Sequence, residues 1–292
     1  MSAGIIGVLW ALVAMVSWGC GDFYIQKVSR SIGIWKNFFF ISIIGTLGLF
    51  PFVLEDLHKL TNLKNLLFLG ISAIAMSISS VLDFEALKEG KLAVMEPILS
   101  MELPLAVIFS VILLGESAPA NGWLLVIAIF IGNSMSSASH LSHLHYHRRI
   151  FEKGVIYALA AATSMALVDI LMGASSRETS PLLTVWAVWL FTSMVSFWYL
   201  FYRGKLKELR ADFLYHPSAI LSVGIFDTMG WVGFCLATPR IPISIATAIG
   251  QSYIVITVLL GLFTNHEHVQ VYQKWGITVA IISVISLAAI TG

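Results

Sequence analysis

The chain consists of long apolar segments separated by short polar connectors. A bilayer core of about 30 Å is crossed by a helix of roughly 20 apolar residues, and the segments have about that length. A transmembrane barrel would instead show alternating segments of about ten residues. The pattern therefore predicts an all-α integral membrane protein with ten transmembrane helices. We place these spans at 5–25, 34–54, 66–84, 92–114, 122–138, 155–172, 182–202, 218–236, 243–263 and 275–291.

Composition agrees with a membrane protein and excludes several other classes. Of the 292 residues, 58% are hydrophobic and only 11% are charged, against about 25% charged in soluble domains. The net charge of +1 indicates no surface for nucleic acid. Cys20 and Cys235 both lie in apolar segments, where they cannot form a disulfide scaffold or a four-thiolate metal site. No basic region precedes the first segment and no cleavage site follows it, so we predict a spanning helix there.

An internal repeat divides the chain into two halves. The stretch GVLWALVAMVSWGCGDFYIQKVSRS, from Gly7, aligns without gaps on GVIYALAAATSMALVDILMGASSRE, from Gly154. This alignment places Asp22 on Asp169, which a small apolar alphabet does not explain. We therefore predict two five-helix repeats, at 1–139 and 154–292, joined by a connector at 140–153. An odd number of helices per repeat requires that the second repeat inserts inverted relative to the first.

The distribution of basic residues predicts the orientation in the membrane. Connectors on the side of the chain's two ends hold four basic residues, which are Lys59, Lys64, Arg177 and Arg240. Those on the opposite side hold thirteen, which are Lys27, Arg30, Lys36, Lys88, Lys91, Arg148, Arg149, Lys153, Arg203, Lys205, Lys207, Arg210 and Lys274. Because cytoplasmic connectors are enriched in Lys and Arg, we predict that both ends lie outside the cytoplasm.

Two motifs resemble a known family. SWGCGDFYIQK closes the first predicted helix, and LLGESAPANGWLLVIAIFIG, which contains Glu116, joins the fourth to the fifth. SVILLGE, which ends at Glu116, is similar to TVLLGLFTNHE, which ends at Glu267. With the ten-helix plan, these motifs resemble the EamA-like families of the drug/metabolite transporter superfamily. His266 and Met165 depart from the family's Gly and Trp. The resemblance implies movement of small organic solutes through a cavity lined by helices one, three, four, six, eight and nine. It also implies cytoplasmic ends, against the charge count.

Acidic residues inside the predicted spans are the main candidates for function, because an ionised side chain near the bilayer centre costs a few kcal/mol. Six such acids lie on helices one, three, four, six and eight: Asp22, Asp83, Glu96, Glu102, Asp169 and Asp227. Asp83 and Glu96 lie near span ends, from which they can reach the headgroups. We therefore predict that substrate or protons bind at the other four, Asp22, Glu102, Asp169 and Asp227.

No Lys or Arg lies in the middle third of any predicted span. A buried carboxylate without a cationic partner is stable only with a proton or beside a bound cation, so these acids indicate transport. Pro97 and Pro104 flank Glu102 and indicate a broken fourth helix that faces a cavity.

Aromatic and polar residues on the same helices are candidates for the cavity wall. They are Trp18, Tyr24, Ser77, Ser80, Trp231, Gln251 and Tyr253. An aromatic ring beside a carboxylate suits an organic cation, which gains about 0.5–2 kcal/mol per ring. Each aromatic residue can instead face lipid, and the serines and Gln251 can instead bond neighbouring helices.

The predicted function is therefore a secondary transporter of a small cationic or zwitterionic organic solute: an amine, an amino acid or a drug-like cation. It would work by proton coupling or exchange, as a multi-pass protein of the cell (inner) membrane, with monomer and homodimer both open. No phosphate-binding loop is present, so no nucleotide cofactor is expected. All eight histidines lie in connectors, so we predict no metal site and no enzyme. Alternatives are a transporter of a neutral or anionic metabolite, a membrane-embedded enzyme and a receptor.

Overall fold

The computed structural model describes residues 2–89, 98–117, 120–137, 148–256 and 270–291, and these contain helices and no strand. The helices of the first half are α1 (Ala3–Ile32), α2 (Ile34–Val53), a 3-10 helix (Leu54–Thr61), α3 (Leu63–Glu89), α4 (Glu102–Leu114) and α5 (Ala120–Ser137). Those of the second half are α6 (Arg148–Glu178), α7 (Pro181–Tyr202), α8 (Leu206–Tyr215), α9 (Pro217–Ala237), α10 (Ile243–Gly250) and α11 (Val271–Thr291).

The outer surface of this helical assembly is apolar. Among the large residues exposed there are Leu47, Ile112, Leu124, Ile156 and Ile282. Polar side chains, by contrast, are buried at helix contacts, where their hydroxyl groups bond to backbone carbonyls one turn earlier, as Ser42 does to Phe38 at 2.8 Å. An apolar exterior, with inner hydroxyl groups bonded to the backbone of their own helix, suits a lipid environment.

Seven helices in the described part of the chain are long and apolar enough to cross a membrane. Three further apolar helices there are shorter, at Glu102–Leu114, Ala120–Ser136 and Ile243–Ile256. The all-helical membrane fold is thus confirmed, whereas the exact number of ten spans stays a prediction. Three of the predicted spans, 92–114, 122–138 and 243–263, extend in part beyond the described residues.

The main helix–helix contacts each join one helix of the first half to one helix of the second half. The helix α1 packs most extensively against α9, and α3 packs in the same way against α6. The remaining major pairs, α2 with α7 and α5 with α11, join corresponding helices of the two halves. The repeat makes α6, α7, α9, α10 and α11 the counterparts of α1 to α5. Replacing each helix by its counterpart turns the pair α1–α9 into the pair α6–α3, and it leaves the pairs α2–α7 and α5–α11 unchanged. This packing agrees with the predicted two-repeat organisation.

Several helices extend beyond the predicted boundaries. The helix α3 continues to Glu89, past the predicted end at 84. The helix α6 begins at Arg148, inside the predicted connector 140–153. The short α8 and the 3-10 helix lie in stretches that the apolar pattern does not mark, because charged and polar residues interrupt them.

Candidate functional site

A cavity of about 160 Å³ lies between the two halves. Five carboxylates line it: Asp22, Asp83, Glu102, Asp169 and Asp227. No lysine, arginine or histidine is found among its lining residues in the described part of the chain. Other lining residues include Phe38 and Ile41, from the first two turns of α2, and Asp83, from the last two turns of α3. The cavity therefore lies nearer the face opposite the chain's two ends.

Helix periodicity explains which residues reach the cavity. Trp18, Asp22 and Ile25 of α1 are spaced four and three residues apart, so they share one face of the helix. The α6 residues Ala161, Met165 and Asp169 follow the same rule at intervals of four. Asp22 and Asp169 are matched by the repeat, and both lie on the cavity wall.

The structure places most of the candidate residues at this cavity. The predicted acids Asp22, Glu102, Asp169 and Asp227 all line it, as do Trp18, Ser80, Trp231, Gln251 and Tyr253. Their role in binding stays a prediction. Glu96 and Pro97 lie outside the described residues.

Three candidates lie elsewhere than the sequence pattern suggests. Tyr24 is not among the lining residues, because it is about 200° around α1 from Asp22, and its ring stacks on Phe226 with centroids 6.1 Å apart. Ser77 is also absent from the lining, and its hydroxyl donates to the carbonyl of Ala73 at 2.8 Å. Asp83 does line the cavity, contrary to its expected place at a span end, because α3 continues six residues beyond it.

Two of the acids accept hydrogen bonds from the α10 region. The Gln251 side-chain amide donates to Glu102 Oε1 at 2.5 Å. The Thr247 hydroxyl donates to Asp169 Oδ2 at 3.1 Å, and Asp169 is almost completely buried, with 1% exposed. Asp22, Asp83, Glu102 and Asp227 are half-buried. The two hydrogen bonds fix the orientation of Glu102 and Asp169 relative to α10.

An aromatic cluster lies beside the acids. The Trp18 ring meets Trp231 edge to face, with centroids 5.2 Å apart, and Tyr253 in the same manner at 6.4 Å. The indole of Trp18 fits between α9 and α10 because those helices carry Gly230 and Gly250 there. A Cβ atom at Gly230 would overlap the indole, and one at Gly250 would lie 2.8 Å from it.

Like charges around so small a cavity repel one another strongly. The five carboxylates can all be ionised only if cations balance them, and otherwise some must hold protons. In the described residues no group of three or more His, Cys, Asp or Glu side chains is arranged to hold a metal ion.

Helices in two related sets around an acidic cavity define a two-repeat integral membrane protein. The sequence profile of the EamA-like transporter family matches residues 5–138 and again 152–289. The chain therefore belongs to the EamA-like transporter family, whose members are membrane transporters of small solutes. This confirms the resemblance seen in the motifs.

Comparison with solved structures supports the same fold. Among 28 matching chains is one titled "Crystal structure of protein". Its alignment with this protein covers 97% of this chain and 95% of the other chain. The TM-score is 0.73 and the sequence identity is 15%, so this likeness shows a common fold only. No curated protein matches the sequence.

Proposed function

We propose that this protein is a secondary transporter that moves a small cationic or zwitterionic organic solute across the cell membrane. The observation that carries the proposal is the set of five carboxylates on one cavity, with no basic side chain among its described lining residues. An anionic solute such as a sugar phosphate would need positive charge there. The acidic lining instead favours an amine, an amino acid or a drug-like cation.

The aromatic rings beside the acids support an organic cation over an inorganic one. Trp18, Trp231 and Tyr253 all line the cavity. A ring face attracts an ammonium group while the rest of the ring contacts apolar parts of the solute. The coupling follows from charge balance: a solute cation that enters replaces protons on the acids, and protons that bind release the solute. Such a site serves proton-driven antiport or solute exchange.

A thermal-shift screen of the purified protein tests the proposed solute class. A solute that binds the folded protein raises the unfolding temperature by mass action. We expect amines, quaternary ammonium compounds or amino acids to stabilise the protein, and sugar phosphates to leave it unchanged. If only anions or neutral sugars stabilise it, and the Asp227→Asn and Glu102→Gln variants bind them as well as wild type, the proposal is wrong.

A further inference from the structure

Glu116 joins the first half of the chain to a helix of the second half. It follows the left-handed Gly115 that ends α4, and its side chain is only 9% exposed. Its carboxylate accepts the backbone N–H groups of Ile243 at 2.9 Å and of Ser244 at 3.2 Å, and the Ser244 hydroxyl at 3.2 Å. These N–H groups begin α10, whose N-cap residue, Pro242, provides no side-chain cap. Glu116 thus caps α10 from the other repeat, where a negative charge is favourable.

Arg177, near the end of α6, holds the same region together. Its Nη2 lies 2.8 Å from Glu116 Oε1 and also donates to the carbonyl of Ile241 at 3.2 Å. Its Nε donates to the carbonyl of Thr238 at 2.7 Å. The guanidinium group therefore fixes the turn between α9 and α10 against Glu116. We call Glu116, Arg177 and the backbone they bind at 238–244 the latch.

The latch closes the face of the protein that carries the chain's two ends. Gly7, near the start of α1, lies against Ile241 and Arg240 of the latch turn. Ile241 and Ile243 are buried, and Ile243 packs against Gly173 of α6. The acidic cavity lies nearer the opposite face. The latch therefore separates the cavity from the face of the two chain ends.

One face of the α10 region connects the latch to the cavity acids. Ile243, Thr247 and Gln251 follow one another at intervals of four, so they form one stripe. The backbone N–H of Ile243 bonds to Glu116, the Thr247 hydroxyl to Asp169 and the Gln251 amide to Glu102. A shift of α10 that releases one of these bonds must strain the others.

We propose that the latch holds the cavity closed at the face of the two chain ends, and that α10 couples its opening to the state of Asp169 and Glu102. Protonation or cation binding at these acids changes their bonds to Thr247 and Gln251, and α10 transmits the change to Glu116. The coupling rests on the proposed function for the role of the two acids. The closure itself stands on the contacts of Glu116 and Arg177 alone.

The native Cys235 provides a reporter of this closure. It is fully buried near the end of α9, three residues before Thr238, and its thiol contacts the Ser176 hydroxyl of α6. In a Cys20→Ser background, the purified protein is treated with a hydrophilic maleimide in the absence of any solute. Loss of the charged hydrogen bonds in Glu116→Gln or Arg177→Gln should raise the labelling rate of Cys235 about tenfold.

Arg240→Gln is the matched control, because it removes an exposed positive charge from the same face but keeps the Arg240 Cβ that packs against Gly7. The Arg240 guanidinium donates to the Leu236 carbonyl of its own segment, and among the described residues the ion-pair partner of Glu116 is Arg177. We expect wild-type labelling in this variant. Arg177→Lys keeps the charge but not the planar group, and should give an intermediate rate. Unchanged labelling in both Gln variants, or an equal rise in Arg240→Gln, overturns the latch.

A second pair of variants tests the coupling. Thr247→Val removes the hydroxyl that bonds to Asp169, without touching the latch, and should raise Cys235 labelling about fivefold. Thr228→Val is the control, because in the described residues its buried hydroxyl has no hydrogen-bond partner. If Thr247→Val labels at the wild-type rate, the latch is not coupled to the cavity. All these rates are measured without solute, so a failed solute screen would not change them.

Discussion

At the scale of single residues, substitution of the cavity acids tests the proposed transport most directly. Asp227→Asn and Glu102→Gln keep most of the side-chain shape but remove the titrating group. We expect each change to abolish proton-driven flux of an organic cation while expression and detergent stability stay near wild type. Uptake by proteoliposomes, with and without a pH gradient, measures this.

The control for these variants is Glu178→Gln, at the exposed end of α6. Its carboxylate pairs with Lys64 at 2.6 Å, away from the cavity. Surface ion pairs of this kind contribute little to the stability of the fold, and this pair lies away from the cavity. Flux should therefore be unchanged. Full coupled flux in Asp227→Asn and Glu102→Gln would show that these acids are structural.

The close approach of Trp18 to Gly230 gives a second prediction at this scale. A methyl group at Gly230 would overlap the indole, so Gly230→Ala must displace Trp18 from the cavity wall. We expect a loss of about 1–3 kcal/mol in stability and weaker binding of organic cations that contact the Trp18 ring. Gly48→Ala is the control, because no atom lies within 4 Å of its Cβ position. Thermal unfolding with and without the best solute of the screen compares the two, and equal effects would contradict the packing argument.

Sequence reasoning found the acids of the site because an intramembrane carboxylate is rare, and a rare residue needs no neighbours to be noticed. It grouped Tyr24 and Ser77, which are not among the lining residues, with the cavity wall because it weighed residue type without the register of each helix face. It discounted Asp83 because the apolar run stops at 84, whereas the helix continues. Glu116 appeared only within a family motif, since its partners Ile243 and Ser244 are more than 120 residues away along the chain.

At the scale of elements, the apolar runs predicted the long helices well, because about 20 apolar residues have few other stable states in lipid. The helix α8 was missed, because its ten residues include charges that look like an ordinary polar connector. Its position depends on a partner distant in sequence. Lys36 lies 2.9 Å from Glu208 and 2.6 Å from Asp212, and Phe213 contacts Phe40.

The docking of α8 should therefore depend on pH. The hydrogen bond from Lys36, together with its charge, lowers the pKa of Glu208 below its ordinary value of 4.5. A carboxylate with a lowered folded pKa stabilises the docked helix above its unfolded pKa and loses that contribution as the pH falls through the folded value. We expect hydrogen exchange at 206–215 to accelerate in that acidic range. Lys36→Met should show fast exchange at all pH values, whereas Lys207→Met should behave as wild type. If hydrogen exchange in Lys36→Met depends on pH as it does in the wild type, this account of the docking is wrong.

At the scale of the whole molecule, the two halves contribute equivalent helices to the main helix–helix contacts. Because α1 packs on α9 as α3 packs on α6, an exchange of the halves preserves the major contacts. The latch is formed at one face, and the cavity lies toward the other. A protein of two exchangeable halves can adopt the reverse arrangement with little loss of packing, which is how inverted-repeat transporters alternate access.

The orientation of the whole molecule in the membrane is the last prediction. The face opposite the chain's two ends carries the exposed Arg203, Lys205, Lys207 and Arg210. On the face of the two ends, three of the four basic side chains form ion pairs: Lys59 with Asp56, Lys64 with Glu178 and Arg177 with Glu116. Because the side rich in Lys and Arg stays in the cytoplasm, we expect both chain ends outside it.

Reporter fusions decide this orientation. An alkaline phosphatase fused after Gly292 should be active, since that enzyme works only outside the cytoplasm, and a fluorescent protein fused there should be dark. The reverse pattern is expected for insertions at the exposed Gly204, between α7 and α8. A reporter after Gly292 that works only in the cytoplasm would show that the ends lie inside, as in the arrangement that the family resemblance implies. The latch would then close the cytoplasmic side, and the acidic cavity would lie toward the outside.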